Sequence, residues 1–215
     1  MHLKRQKSPK SWPVTRKGTA YLVRPNSYAR KGLPILIILR DLLNIAKNRK
    51  EVKKAIHSRE ILLNSRKVTD EKDTAVIFDT ITIIPSKKNY KIIPSKKGKI
   101  VAEEISQKES EKKIAKVIGK KKLKGGKIQI NLSDGMNFIS DIKCNVNDSL
   151  LVNLKDRKIE KCVPLKEKAK IMVFEGKHIG GYGEIKKIDS SKKMVTLISG
   201  EKEINVLIKQ IIAVE

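Results

Sequence analysis

Hydrophobic residues first recur with a helical spacing at residue 33, where a basic segment without acidic residues ends. From there apolar side chains fall at i, i+3, i+4 and i+7, and Pro34 suits the first turn of a helix. The pattern predicts a helix of roughly three or four turns that is apolar nearly all round and therefore buried in its domain. Its apolar members are Ile35, Leu36, Ile38, Leu39, Leu42, Leu43, Ile45 and Ala46.

A second, shorter helix is predicted over residues 49–59. Val52, Ala55 and Ile56 share its inward face, and the opposite face carries a basic row at helical spacing. The row consists of Lys50, Lys53, Lys54 and His57. Like charges at this spacing repel one another, so the row is expected to lie on phosphates, with a simply solvated face as the alternative.

Strand patterns follow the second helix. Residues 61–63 and 66–68 flank Asn64 and Ser65, which predicts a hairpin closed by a two-residue turn. Residues 80–84 are β-branched and predict a further strand.

Short strands alternate with turns through the rest of the chain. Those predicted first cover residues 99–103, 114–118, 128–132, 137–139 and 150–154. Those predicted last cover residues 171–174, 184–188, 194–198 and 204–208, and they indicate a small closed β-barrel. The predicted fold class is multi-domain α+β, with a basic arm at 1–32, a helix-and-hairpin domain at 33–85, a β domain at 86–166 and the barrel at 167–215.

The net charge of the chain indicates what kind of partner it binds. The 215 residues include 49 Lys plus Arg and 23 Asp plus Glu, a formal net charge of +26. Such a surplus repels itself and indicates a polyanion, and only nine of the cations are arginines. Lysine favours point contacts with phosphate over the reading of bases. Aromatic residues are only 4% of the chain, too few for a stacking platform, so folded RNA recognised by shape and charge is expected.

The arm, residues 1–32, has nine basic residues and no acid. This composition is not expected to bury a core but to order on a phosphate-rich surface, with a flexible tail of no specific role as the alternative. Trp12 argues against the tail, because a lone tryptophan usually packs against something.

Several classes of protein are excluded by the same sequence. The longest apolar run, residues 33–39, is too short for a membrane helix, and no signal peptide is recognised, so a cytosolic setting is expected. Cys144 and Cys162 form no CxxC pair, and the three histidines lack ligand spacing, so no metal is expected. Because neither a phosphate-binding loop nor a nucleophile elbow occurs, no catalytic residue, cofactor or small-molecule substrate is predicted.

Three groups of residues resemble known ribosomal sequences, and they occur in the order of one family. They are His2-Leu3-Lys4-Arg5 with Pro9-Lys10-Ser11-Trp12 and Arg24-Pro25, the hairpin 62–68 followed by Asp79-Thr80-Ile81, and the glycine-rich segment 175–185. The second group resembles the RNA-binding domain named after bacterial small-subunit ribosomal protein four, and the third resembles a KOW motif. Together with the first, they make the chain similar to the archaeal and eukaryotic small-subunit ribosomal protein also numbered four.

The resemblance implies a structural role in the ribosome, in the cytoplasm, with small-subunit ribosomal RNA and neighbouring ribosomal proteins as partners and no membrane. It also implies RNA contacts through the hairpin, the second helix and the KOW loop, to which the arm adds its own cations. The implied residues are Lys4, Arg5, Lys10, Arg16, Lys50, Lys53, Lys54, Arg59, Arg66, Lys67, Lys177, His178, Gly180 and Gly183. The two glycines are expected either to let a partner approach or to serve barrel turns alone.

The chain departs from the family pattern in three places. Asn26 follows the Arg-Pro pair where the family commonly has glycine, and Ser65 replaces the hairpin glycine, which leaves the turn type open. The sequence ends at Glu215 without the extension of eukaryotic members, so an archaeal-type member is expected.

Two other functions are weighed against a ribosomal role. A KOW-type transcription elongation or antitermination factor would act on polymerase and would need fewer basic residues in its arm. An RNA-modifying enzyme would carry the helix-and-hairpin domain as an appendage, but the remaining lysine-rich β segments leave no room for a catalytic domain.

Overall fold

The computed structural model describes residues 2–27, 32–140, 142–189, 191–200 and 202–214. The chain divides into two compact units, Met1–Glu111 (unit 1) and Lys112–Glu215 (unit 2). Both are mostly β, with the helices in unit 1 apart from one short 3₁₀ segment among the described residues of unit 2. In the described part of the chain, no helix has the length and apolar character needed to cross a bilayer.

Unit 1 combines short helices with one larger sheet. Its strands are β1 (Leu3–Lys4), β2 (Tyr21–Leu22), β3 (Leu33–Pro34), β4 (Ile61–Leu63), β5 (Arg66–Lys67), β6 (Thr74–Ala75), β7 (Thr80–Ile83), β8 (Lys88–Pro94) and β9 (Ile100–Ile105). Its helices are α1 (Ile35–Ile37), α2 (Arg49–His57) and α3 (Gln107–Ser110), with a 3₁₀ turn at Arg5–Lys7 and a π-helical segment at Ile38–Leu42. The large sheet has the order β5-β4-β7-β8-β9 and is antiparallel throughout, while β1–β2 and β3–β6 are separate antiparallel pairs.

The first helix is shorter than predicted. It is α-helical only over Ile35–Ile37 and then widens into the π segment, where the backbone N–H of Leu43 donates to the Ile38 carbonyl (2.8 Å). Asn44 then takes a left-handed conformation (φ 53°), which ends the helix. The helix start is fully buried as predicted, but Ile45, placed on the inward stripe by its spacing, is 51% exposed.

The second helix lies where its spacing predicts, at Arg49–His57. Asn48 caps it, because its side-chain oxygen accepts from the backbone N–H of Glu51 (3.0 Å). The Glu51 carboxylate in turn accepts from the backbone N–H of Lys47 (2.7 Å). Val52 and Ile56 are buried in the core of unit 1, as the apolar face requires.

The arm is part of the unit 1 core, which corrects the expectation that it buries no core. Trp12 is 1% exposed and packs in the same apolar cluster as the first helix and the large sheet. The neighbouring backbone is fixed by two hydrogen bonds. The Ile100 N–H donates to the Ser11 carbonyl (2.8 Å), and Lys99 Nζ donates to the Trp12 carbonyl (3.0 Å). The inference that the lone tryptophan packs against something is confirmed.

The structure also differs from the predicted domain boundary at residue 86. Strands β8 and β9 pair onto β7 and complete the large sheet of unit 1, so this unit extends to Glu111. Backbone pairing across the sheet, rather than the change in composition at 86, sets the limit of the compact unit. The division into four segments otherwise stays a prediction.

Unit 2 contains two five-stranded antiparallel sheets. Its strands are β10 (Lys112–Lys122), β11 (Ile128–Leu132), β12 (Asn137–Ile139), β13 (Ser149–Asn153), β14 (Lys158–Val163), β15 (Lys170–Val173), β16 (Tyr182–Asp189), β17 (Met194–Ser199), β18 (Lys202–Leu207) and β19 (Ile211–Ala213), with a 3₁₀ segment at Ile208–Gln210. One sheet has the order β12-β11-β10-β13-β14 and the other β18-β17-β16-β15-β19. All strands predicted in this region are present, and sequence reasoning missed β14 and β19.

Strand β10 buries two lysines, Lys113 and Lys116, which are three residues apart and therefore point to opposite faces of the strand. Lys113 Nζ lies 2.6 Å from Asp134 Oδ2, so its charge is paired inside the unit. Lys116, 3% exposed, instead donates to the backbone carbonyls of Ile208 and Ile211, the latter at 2.9 Å. Burial without a carboxylate at hydrogen-bond distance lowers the pKa of Lys116 to about 8.

Candidate nucleic-acid interface

The outward face of α2 is an exposed row of cations. Lys50, Lys53, Lys54 and His57 are all exposed, and the buried Val52 and Ile56 hold the opposite face in the core. Among the residues that the structure describes, the three lysines have no carboxylate within ion-pair distance. Lys54 and His57 lie in the last turn, where the helix dipole favours positive charge. The row is therefore a set of available cations on a rigid element.

A salt bridge fixes the start of this helix. The Arg49 guanidinium binds both oxygens of Glu71, whose carboxylate is 3% exposed, and Nε lies 2.9 Å from each oxygen. Hydrogen bonding to Glu71 raises the pKa of Arg49 above its ordinary value. The backbone carbonyl of Glu71 also accepts from the N–H of Leu36 (3.1 Å), so the same residue holds the buried helix. The buried carboxylate of Glu71 therefore fixes the start of the helix that carries the cation row.

The hairpin β4–β5 presents Arg66 and Lys67 as exposed side chains. Its turn residues Asn64 and Ser65 both have positive φ (50° and 62°), the φ signature of a type I′ turn, which answers the question of turn type. Asn64 is locked by the buried Asp79, because Asn64 Nδ2 donates to Asp79 Oδ1 (2.9 Å). Asn64 Oδ1 also accepts from the Thr80 N–H (3.0 Å). The hairpin is therefore a fixed support for its two cations.

Arg59 follows α2 and is exposed. Its φ of 57° is left-handed, and its N–H donates to the Ile56 carbonyl (2.9 Å), so it ends the helix as a glycine usually does. The residue joins the lysine row to β4 along the chain. Helix, Arg59 and hairpin are consecutive, and we call their cations (Lys50, Lys53, Lys54, His57, Arg59, Arg66 and Lys67) the helix–hairpin surface.

The arm divides into free and engaged cations. Lys4, Lys10 and Arg16 are exposed. Arg5 is half-buried, and its guanidinium closes the loop of the arm. Nε donates to the Thr19 carbonyl (2.7 Å), Nη1 to the Thr15 carbonyl (2.7 Å) and Nη2 to Thr19 Oγ1 (2.8 Å). Three of its five N–H groups are thus used inside the protein, so Arg5 shapes the arm more than it offers a phosphate contact.

The loop between β15 and β16 exposes Lys177 and His178. The two glycines predicted beside them have internal roles. Gly180 is buried with φ 77°, and its N–H donates to the Val173 carbonyl (2.7 Å). Gly183 is not left-handed, but a Cβ there would lie 2.4 Å from the Ile198 carbonyl oxygen. Turn geometry at Gly180 and strand packing at Gly183 account for the two glycines, which favours the second of the two expectations.

Three acidic residues are buried and used internally. Glu71, Asp79 and Asp148 are buried, and each holds a helix, turn or loop. Asp148, for example, accepts from the backbone N–H groups of Asn145 (2.6 Å) and Leu165 (3.0 Å). These three acids therefore support the fold and add little negative charge to the surface. Within the described ranges, no three His, Cys, Asp or Glu side chains are grouped to hold a metal.

Comparison with known proteins finds relatives that align with most of this chain. The model of the Ribosomal family S4e matches residues 86–159, and that of the RS4NT domain matches residues 1–27. A protein of Methanocella arvoryzae named small ribosomal subunit protein eS4 is 35% identical over 190 residues, covering 87% of this chain and 80% of that protein. The chain belongs to the ribosomal protein S4e family.

Further relatives and a solved structure extend the S4e match. The eS4 of Methanosphaera stadtmanae is 32% identical over 207 residues, covering 94% of this chain and 86% of the relative. The crystal structure of 30S ribosomal protein S4e from Thermoplasma acidophilum aligns with a TM-score of 0.75 at 22% identity, over 86% of this chain and 95% of that one. The protein therefore shares its fold with this S4e structure.

The S4e match also covers a group of cations that the site prediction left out. The hairpin between β10 and β11 carries five exposed lysines around Gly125 and Gly126, which both have positive φ. They are Lys120, Lys121, Lys122, Lys124 and Lys127. The Leu123 N–H closes the tip on the Lys127 carbonyl (2.8 Å). The density of lysine in this segment was visible in the sequence, but only the strand pairing shows that it forms one exposed tip.

Proposed function

We propose that this S4e chain is a structural constituent of the small ribosomal subunit, that it binds the subunit's RNA and that it works in the ribosome without catalysing a reaction. Two relatives aligned over most of their length are named small ribosomal subunit protein eS4. The single observation that carries RNA binding is the lysine row of α2, which is exposed and has no ion-pair partner among the described residues, while Glu71, the acid that binds Arg49 at the start of the helix, is buried.

RNA binding by such a surface rests on phosphate contacts. Each lysine placed on a phosphate releases condensed counterions, so affinity falls with salt in proportion to the number of contacts. The helix–hairpin surface holds its cations on a capped helix and a locked turn, so little ordering is needed on binding. Exposed Lys4, Lys10 and Arg16 of the arm and Lys177 and His178 of the β15–β16 loop are proposed as further contacts to RNA or to neighbouring ribosomal proteins.

Two finer assignments belong to the same proposal. The helix–hairpin region is proposed to act as the RNA-binding domain that it resembles, with Arg66 and Lys67 at its tip. The sheet β18-β17-β16-β15-β19 is proposed to be the family's KOW barrel, supported by its five short antiparallel strands and by the glycine-rich loop before β16. Tyr182, 52% exposed beside this loop, is proposed to contact a partner molecule.

Co-sedimentation tests the ribosomal role. The tagged full chain, expressed in an archaeal host, is expected to migrate with small subunits in a sucrose gradient at moderate salt and to leave them at high salt. A protein that stays at the top of the gradient at low salt contradicts the proposal. Recovery of RNA polymerase without ribosomes in a pull-down would instead favour the elongation-factor alternative, which the relatives named above do not support.

A further inference from the structure

One face of strands β10, β11 and β12 points away from the core of unit 2. These strands pair in the order β12-β11-β10, and their inward side chains, among them Val117, Ile130 and Leu132, are buried in one apolar cluster. Alternate side chains of a strand point to opposite sides of a sheet, so the register places six residues together on the other face. We call this set the outer face: Gly119, Lys121, Gln129, Asn131, Asn137 and Ile139.

The outer face is mainly polar, and none of its six residues is acidic. Half of its residues carry amide side chains. Gln129 Nε2 donates to Asn131 Oδ1 (2.8 Å), which leaves Gln129 Oε1 as an acceptor and Asn131 Nδ2 as a donor. Asn137 is exposed and offers both a donor and an acceptor. Such a face suits a partner whose groups both donate and accept hydrogen bonds, as hydroxyl groups do.

Gly119 keeps part of this face flat, although nothing in its own surroundings requires a glycine. A Cβ there would meet no atom within 4 Å, and its φ is not left-handed. The adjacent bulge, whose extra residue is Ile118, demands glycine only where φ is positive. A glycine inside a strand weakens the strand, and it can mark a place where a partner approaches the backbone closely. Gly119 therefore marks the point of the outer face that a partner can approach most closely.

The outer face continues into the lysine tip of the β10–β11 hairpin. Residues 112–133 contain no Asp or Glu. Lys121 belongs to the outer face, Lys124 and Lys127 lie in the turn, and all three are exposed. In the part of the chain that the structure describes, none of the three forms an ion pair. A positive tip beside a face of amides is complementary to phosphates that lie next to hydrogen-bonding groups.

This surface fits a duplex better than a single strand. Phe138, the one aromatic residue of β10, β11 and β12, packs against the core, so the outer face has no ring on which an unpaired base could stack. Three strands also make a face about 10 Å across, two strand spacings of about 4.8 Å. The minor groove of B-DNA, about 6 Å wide, does not admit such a face, whereas the minor groove of A-form RNA is wide and shallow.

From these observations we infer that the outer face and the lysine tip bind the minor groove of double-stranded RNA. The amide side chains hydrogen-bond the 2′-hydroxyls and base edges of the groove, and Gly119 lets the sheet come close to them. Lys121, Lys124 and Lys127 bind phosphates at the edge of the groove. This inference rests on the proposed RNA-binding function and adds a contact surface in unit 2 and the form of RNA that this surface selects.

The test compares binding of the full chain to an RNA duplex of mixed sequence and to the DNA duplex of the same sequence, by fluorescence anisotropy. The wild type is expected to bind the RNA duplex more tightly, because only RNA offers 2′-hydroxyls in a wide groove. Asn137→Leu removes the hydrogen bonds of one amide and is expected to weaken RNA-duplex binding by about 2- to 13-fold, the range for one hydrogen bond. The DNA duplex is expected to bind this variant and the wild type equally.

Gly119→Val tests the close approach itself. Its side chain would hold the outer face away from the groove, so it is expected to weaken RNA-duplex binding by about 10-fold or more and to leave DNA binding unchanged. Thermal melting close to that of the wild type is expected, because the space around Gly119 is open and valine favours strands. If this variant melts at a lower temperature, Asn137→Leu decides the test.

Two further variants make the result specific. Gln107→Leu removes an exposed amide from α3 in unit 1 and is expected to keep the preference for the RNA duplex. Lys124→Gln/Lys127→Gln is expected to lower the slope of log K against log salt for the RNA duplex by about 2, because two phosphate contacts are lost. An unchanged slope removes the tip from the proposed contact.

The outcomes separate this inference from the proposed function. Equal wild-type affinity for the two duplexes, or RNA-duplex affinity unchanged in both Gly119→Val and Asn137→Leu, overturns the minor-groove inference while RNA binding stands. Equal weakening of duplex and single-stranded RNA binding by Gly119→Val also overturns it, because the surface then selects no duplex. Failure of the wild type to bind any RNA at low salt contradicts the RNA-binding function itself.

Discussion

Removal of two charges from α2 is the sharpest test of the helix–hairpin surface. Lys53 and Lys54 are exposed and have no ion-pair partner among the described residues, so both charges are available to phosphate. The variant Lys53→Gln/Lys54→Gln keeps the length and helix propensity of the side chains. Because no buried contact is lost, its free energy of unfolding is expected to stay within about 0.5 kcal/mol of the wild type.

The size of the effect on binding follows from counterion release. Each phosphate contact contributes about 0.9 to the slope of log K against log salt for a duplex, so loss of two contacts lowers the slope by about 2. At 0.1 M salt, one decade below 1 M, the same two contacts correspond to roughly a 60-fold loss of affinity, or about 2.4 kcal/mol. The loss is expected for unrelated RNA sequences alike, since phosphates carry no sequence information.

The assay is filter binding or fluorescence anisotropy with a structured RNA over a series of salt concentrations. The matched control is Lys88→Gln/Lys186→Gln, which removes the same charge from two exposed lysines that already pair with Glu104 and Glu203. The control is expected to change the slope much less, because those charges are already neutralised locally. A slope unchanged in the α2 variant, or an equal change in the control, refutes α2 as a contact face.

Three further predictions concern folding. Ser65→Gly is expected to raise the free energy of unfolding of unit 1 by about 0.5–1 kcal/mol, because glycine takes the left-handed φ of 62° without strain. A lower urea midpoint for this variant would contradict the I′ turn. Gly183→Ala is expected to lower the free energy of unfolding by about 1–3 kcal/mol, because the added Cβ would meet the Ile198 carbonyl. Gly119→Ala is the control, because the space around Gly119 is open and its stability in the same denaturation experiment is expected to change little. Burial lowers the pKa of Lys116 to about 8, so between pH 8 and 10.5 the unfolded state binds more protons than the folded state. The free energy of unfolding is therefore expected to rise over this pH range. Urea titrations at both pH values are expected to show this rise for the wild type and not for Lys116→Met.

Local sequence pattern correctly predicts the helices and strands that are determined mainly by their own residues. Strands β11, β12 and β17 lie within a residue of their predicted positions because alternation places Val195 and Leu197, for example, on one buried face. The α2 helix follows from its spacing and its Asn48 cap. Strand β8 and the short β19 were missed because their stability comes from pairing with partners elsewhere in the chain, β7 and β9 for the first and β15 for the second.

The cationic residues of the candidate site were predictable individually, but their availability was not. Lysines at the helix spacing and after the hairpin turn are visible in the sequence, and the structure finds them exposed. Arg5 is also a basic residue of the acid-free arm, yet its guanidinium donates hydrogen bonds to the Thr15 and Thr19 carbonyls. Gly180 and Gly183 were expected either to let a partner approach or to serve barrel turns alone, and contacts within unit 2 favour the second expectation. Such distinctions depend on side chains that meet through folding.

By itself, the sequence determined the charge of +26, the alternation that makes β structure, the amphipathic α2 and the signature shared with S4e proteins. These properties reside in residue types and in spacings of a few residues, so no knowledge of distant contacts is needed. The burial of Trp12 in the core and the inward orientation of Glu71 and Asp79 came instead from the tertiary fold. Each of these depends on residues tens of positions apart, and the free energy of burying them together is set by packing that no local pattern records.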